Sequence, residues 1–262
     1  MFAAGYFIRR RVTGLPEFNL RIEKAELDAS SCEWLPEESR KEIEQIPLQL
    51  SNLNLLSGDV LARVYHRLKS NVWVDEVKSV EKVFPDRIKF LLSIRRPVAW
   101  ISLNNRDYLT DSEGVRLPFQ TRDNISVRHL PVIKGLPSGT RVPAPGETWG
   151  SMKLENGLCV AQYLLSEPEL LMKETGSIES IDVSDARSGG RGVVLVTDTK
   201  QRVEWGRTSI SGNLQLVSDS EKLANLRLIL YGECSLDDRS YFLLWTPKPT
   251  AGPPEQSARN PR

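Results

Sequence analysis

The sequence predicts an α+β fold in two parts: a strand–helix–helix–strand–strand module over residues 18–103, then a mixed β domain with helices over 104–246. Three observations carry that prediction. Residues 58–69 hold a single apolar stripe at helical spacing, and 86–103 contain alternation of period two. From Asn104 onward the chain changes to short apolar runs divided by turn signals.

Residues 18–27 (FNLRIEKAEL) alternate apolar and charged positions and predict the first strand, with Leu20, Ile22 and Ala25 along it. Pro36 opens a short helix whose first turn holds Glu37 and Glu38, where the helix dipole favours carboxylates. Ile43 and Ile46 form its buried face, and Pro47 ends it. In the next helix Ser57, Gly58 and Asp59 offer caps. Val60, Leu61, Val64, Tyr65 and Leu68 form its stripe, with Arg63, Arg67 and Lys69 outside it. Residues 72–84 and 86–103 predict two strands joined at Phe84-Pro85-Asp86, where proline presets one backbone angle. Ile88, Phe90, Leu92 and Ile94 share one face of the second strand.

In the second part, Tyr108-Leu109 leads into Asp111-Ser112-Glu113-Gly114, a tight turn with glycine where positive φ is expected. Residues 131–149, with Pro131, Pro137, Pro143 and Pro145, read as loop. A helix is predicted over roughly 152–174, then strands near 177–183, 192–197 and 201–205, with turns at Gly189-Gly190 and Asp198-Thr199-Lys200. Ser218 with Glu221 matches a capping box, and Leu223, Leu226, Ile229 and Leu230 make the packed side of the helix it opens. The final strand is 241–245 (YFLLW). Five prolines within 246–262 and little apolar bulk predict a disordered tail over 247–262.

Composition and motifs exclude several classes of function. Thirty-five basic residues against 34 acidic ones leave a charge of +1, so there is no surplus to neutralise nucleic-acid phosphates. Cys32, Cys159 and Cys234 are far apart and only His66 and His129 could join them, so no metal site is expected. The cysteines read as small buried apolar residues, with a Cys159–Cys234 bridge left open. No phosphate-binding glycine loop, nucleophile elbow or HExxH stands in the chain. Carboxylate pairs such as Glu37-Glu38 and Asp237-Asp238 read as solvated turns. The expectation is therefore no catalytic residue, no cofactor and no enzyme. No run reaches the ~20 apolar residues of a spanning helix. The longest run, residues 1–8 (MFAAGYFI), precedes Arg9, Arg10 and Arg11, and 1–17 reads as a frayed terminus or the remnant of a membrane anchor.

Three stretches, in order, resemble the FtsQ/DivIB family of bacterial cell-division proteins. Residues 71–101 (NVWVDEVKSVEKVFPDRIKFLLSIRRPVAWI) are similar to the close of that family's POTRA module, through Trp73-Val74, Phe84-Pro85 and Arg95-Arg96-Pro97-Val98-Ala99. DYLTDSEGVRLP (107–118) and LPVIKG (130–135) resemble its hairpin and the segment after it. VEWGR (203–207), EKLANLRLIL (221–230) and SYFLLW (240–245) resemble its closing strand, helix and strand. Val72 stands where the family usually has proline, and the loop at 119–129 and the helix at 152–174 carry no distinctive match.

The resemblance implies a POTRA-like domain over 18–103 and an FtsQ-like β domain over 104–246. It also implies a non-enzymatic divisome scaffold anchored by a single pass in the cytoplasmic membrane, with the bulk of the chain extracytoplasmic. The β domain would bind a partner such as an FtsB–FtsL complex. Physical reasoning gives that binding a form, since an edge strand carries unpaired N–H and C=O groups onto which another strand can add. The expected partner-binding residues are Tyr241, Phe242, Leu243 and Trp245, with Arg95 and Arg96 touching a partner or lipid headgroups. By alternation Tyr241, Leu243 and Trp245 share one face, and Phe242 and Leu244 the other. Two rival readings are a POTRA-bearing protein of outer-membrane assembly or secretion, and an unrecognised α+β enzyme.

Overall fold

The computed structural model describes residues 18–19, 37–45, 54–118, 130–172, 177–186, 192–211, 217–231, 241–248 and 250–251. The fold is α+β, and the described residues divide into two compact units between Arg96 and Pro97.

In the first unit, helix α1 (Glu37–Gln45) stops before Pro47, and Ile43 is buried. Helix α2 (Val60–Lys69) buries Val60, Val64 and Leu68. Tyr65, assigned to the same stripe, is instead exposed, because the stripe that packs is narrower than the one the sequence allows. Strands β1 (Val74–Val83) and β2 (Arg87–Ile94) form an antiparallel hairpin, turned at a cis Phe84-Pro85 bond. Phe90, Leu92 and Ile94 face inward with Trp73, Val74 and Val77. Of the first predicted strand, residues 18–27, only Phe18 and Asn19 lie within the described residues. Asn19 bridges Asn54 in antiparallel sense, and the Phe18 carbonyl accepts from the Leu55 amide at 2.9 Å.

The run read as one strand over 86–103 is two. Arg95 closes the hairpin by donating its amide to the Trp73 carbonyl at 2.8 Å. Pro97, which has no N–H to give a ladder, then begins β3 (Pro97–Leu103) in the second unit. The division therefore falls at 96/97, whereas the sequence places a boundary at 103/104.

The second unit is built on one eight-stranded sheet. After β3 come β4 (Arg106–Asp111), β5 (Val132–Lys134), β6 (Ile178–Asp182), β7 (Val193–Thr197), β8 (Arg202–Gly206), β9 (Tyr241–Leu243) and β10 (Thr250–Ala251), in the spatial order β10-β9-β8-β7-β6-β5-β3-β4. The pairs β3–β5, β5–β6 and β8–β9 are parallel and the others antiparallel. Strand β5 lies inside the stretch read as loop. It is a three-residue central strand, too short to show a period, and it is fixed beside β3 by the Trp100 amide on the Pro131 carbonyl at 2.9 Å.

Helix α3 (Met152–Leu165) packs on β3, β5, β6 and β7. The single helix predicted over 152–174 is broken, with α4 (Glu169–Met172) following as a separate turn. Pro168 is the cause, since it lacks an N–H and disfavours the helical region for Glu167. Helix α5 (Asp219–Leu230) starts at the predicted capping box. The Ser218 hydroxyl accepts from the Glu221 amide at 3.3 Å, and the Glu221 carboxylate accepts from the Ser218 amide at 2.8 Å. Gly114 has φ +75°, as its turn requires.

Gly157 sets how closely α3 approaches the sheet. A methyl there would lie 2.8 Å from Val183 Cγ1 and 3.2 Å from Ile133 Cγ2, both buried. Gly157→Val is expected to destabilise the unit by about 1–3 kcal/mol through overpacking. Urea denaturation should show a lower midpoint with an unchanged slope.

Candidate partner-binding end of the sheet

The β8–β9–β10 end of the sheet is held from behind by α5, through polar groups that the sequence hides among apolar neighbours. Asp219 and Lys222, one helical turn apart, are 2% and 1% exposed. The Lys222 ammonium lies 3.1 Å from Asp219 Oδ1 and also donates to the Arg207 carbonyl. Asp219 accepts from the Trp205 indole at 2.9 Å and from the Ser209 amide at 2.9 Å. Burial pushes the Asp219 carboxyl up, but the Ser209 amide, the Trp205 indole and the Lys222 ammonium together outweigh it. Its pKa falls below the ordinary carboxylate value. The exit of β8, residues 205–209, is thereby fixed to the first turn of α5, and the Thr208 hydroxyl adds a hydrogen bond to Asn156 of α3.

Two glycines bring β7 and β8 together at the same end. Gly192 (φ +104°) sits where a methyl would fall 2.2 Å from the Gly206 carbonyl. Gly206 (φ +79°) in turn lies under the Trp245 indole, 3.0 Å from Cδ1 to an added methyl. A side chain at 206 would lift that ring.

Strand β9 runs parallel to β8, pairing Arg202 with Tyr241, Val203 with Phe242 and Glu204 with Leu243. The Leu244 amide continues this pairing to the Glu204 carbonyl at 2.9 Å. Asn225, midway along α5, then donates to the carbonyls of Leu244 at 3.2 Å and Thr246 at 3.1 Å, which ends the strand and fixes the path of the chain. Asparagine competes poorly for a helix interior. Its place between Leu223 and Leu226 is the sequence signal for such a role.

The faces alternate. Phe242 (6% exposed) and Leu244 (0%) point into the core, Leu243 is half-buried, and Trp245 is 39% exposed. Phe242 is thus a core residue, not an accessible anchor. The side chain of Tyr241 lies outside the described residues. Strand β9 is not the edge of the sheet, because Thr250 and Ala251 of β10 pair antiparallel with Leu243 and Phe242 on its other side. The reversal at 244–248 that brings β10 back has no counterpart in hydrophobic period, so the sequence shows an end where the fold has a turn.

Arg95 and Arg96 close the first unit. The Arg95 guanidinium lies 3.4 Å from Asp75 and is 13% exposed, whereas Arg96 is exposed. Cys159 is a free, buried thiol, so the Cys159–Cys234 bridge is not formed. Its Sγ lies 3.9 Å from Ser209 Oγ, and burial pushes its pKa up. Cys32, Cys234 and His129 lie outside the described residues. Among the described residues no three His, Cys, Asp or Glu side chains gather as a metal site, and no helix is long and apolar enough to cross a membrane.

A family model described as cell division protein FtsQ/DivIB, C-terminal, matches residues 98–229, from the second residue of β3 to the penultimate residue of α5. No curated protein matches the chain.

Proposed function

Because the chain belongs to the FtsQ/DivIB family of cell-division proteins, a non-enzymatic family of the divisome, we propose that it is a scaffold that binds other division proteins through the β8–β9–β10 end of its sheet. In this reading the bulk of the chain lies on the outer side of the cytoplasmic membrane, the first unit is a POTRA-like module, and an FtsB–FtsL-like complex is the partner. The observation that carries it is the split of the closing strand. Phe242 and Leu244 supply the core, while Leu243 and Trp245 on the opposite face present apolar surface at the end of the sheet. Strand addition reads a backbone through its hydrogen bonds and specifies it through alternate side chains, and Leu243 and Trp245 supply the second of these. Arg96 is the better placed of the two arginines for a secondary contact, since Arg95 already meets Asp75.

The test is a titration of the full chain with purified FtsB–FtsL complex. Saturable binding, weakened by Leu243→Glu, is the expected result. Leu243 is half-buried on an outward face, so the charge should repel an apolar partner without entering the core. Binding of the complex that ignores this substitution places the interface elsewhere, and no binding at all removes the assignment of the partner.

A further inference from the structure

We propose that Thr250 and Ala251 form a built-in cap on β9, which an incoming partner strand must displace before it can add to the sheet. The inference rests on the reading above that a partner strand adds at this end. Its own observation is the topology: β9 is hydrogen-bonded on both sides, and the outer neighbour is a segment of the same chain.

The cap is weak by construction. It pairs two residues, Thr250 with Leu243 and Ala251 with Phe242, where strands usually run from about three to ten residues. Each hydrogen bond adds little net stability once exchange with water is counted, so a ladder this short is readily exchanged for a longer one. Nor can it lengthen. Pro247, Pro249, Pro253 and Pro254 flank it on both sides, and proline has no N–H to donate to a ladder.

The strand beneath does not depend on the cap. The Leu244 amide is held by Glu204 of β8, and the carbonyls of Leu244 and Thr246 are held by Asn225 of α5. Release can therefore hinge after Thr246 and leave β9 in place. Because the Leu244 N–H points to β8, alternation turns the Leu243 N–H and C=O toward β10. These are the groups that a partner strand would take over. A cap of this kind also keeps the edge from pairing indiscriminately while no partner is present.

The experiment compares the full chain with its Thr250→Pro variant, and with a second variant ended after Lys248 in case proline disturbs the turn. In the absence of partner, hydrogen exchange at the Leu243 amide should accelerate in both variants while Tm stays within a few degrees. Purified FtsB–FtsL complex should then bind both variants about tenfold more tightly, the gain expected when a competent state populated at about one part in ten becomes dominant. Unchanged exchange at Leu243 overturns the cap, and so does equal or weaker binding by variants that remain folded. In those cases the proposed function stands if the unaltered chain still binds. If FtsB–FtsL binds none of the three chains, that partner reading fails and the inference falls with it.

Discussion

Lys222→Ala is expected to lower the stability of the second unit by about 3–5 kcal/mol, because it leaves the Asp219 carboxylate buried without its cation. Both side chains are almost fully shielded, so solvent cannot take over the role of the ammonium. The Arg207 carbonyl loses its donor in the same step. Lys222→Met keeps most of the volume, and a loss of similar size there assigns the effect to charge rather than to a cavity. The pH dependence has a definite sign. Asp219 has a folded pKa below its ordinary value, so its contribution is present above the unfolded carboxylate pKa of about 3.9 and is lost as pH falls through the folded value. Removing Lys222 takes away one of the groups that hold the pKa down, so the acid limb of the stability curve should move to higher pH. Urea melts followed by circular dichroism between about pH 3 and pH 7 check both points. A loss below about 1 kcal/mol would mean that the backbone and indole hydrogen bonds suffice by themselves.

The contrast between what could and could not be read in the chain follows from the range of the interactions involved. Helix α2 and the capping box of α5 were legible because their determinants lie within a few residues of one another. Val60, Val64 and Leu68 repeat at helical spacing, and Ser218 and Glu221 satisfy each other's amides. The alternation of 242 and 244 against 243 and 245 was legible in the same way. Which pair faces inward was not, since that depends on where β8 and α5 lie. Strand β5 was missed because three buried residues in a parallel sheet show no period of their own. Pro168 is visible in the sequence, and the local backbone rule at that residue, rather than the helix-forming residues on either side of it, decides where α3 ends. The true outer edge of the sheet was the least legible feature. Two residues between prolines carry no strand signal, and their pairing with Leu243 and Phe242 exists only once the chain has turned back. The polar groups that hold this end, Asp219, Lys222 and Asn225, sit on a helix among apolar residues, and their partners lie 14 to 21 positions away for the Trp205, Leu244 and Thr246 bonds.

On the proposed binding mode, Trp245→Ala should cost FtsB–FtsL affinity far more than it costs stability. Tryptophan is the residue most often found at the energetic centre of an interface, and truncating such an anchor commonly costs about 2 kcal/mol or more, some thirtyfold in Kd. Trp245 keeps 39% of its surface exposed and rests on Gly206, so its own unit gains only part of what the ring could bury. A drop in stability near 1 kcal/mol is the expected scale for that partial burial. Leu244→Ala, by contrast, empties a site that is 0% exposed and should cost about 2–5 kcal/mol, so lost binding there would report unfolding rather than contact. Trp245→Phe separates the remaining terms, since it keeps a flat apolar ring above Gly206 and should recover much of the affinity. Titration with purified FtsB–FtsL and a thermal melt on each variant decide the matter. If Trp245→Ala binds within twofold of the unaltered chain while folding normally, the exposed ring is only a lid over the Gly192–Gly206 contact, and the interface must be sought on another face of the sheet.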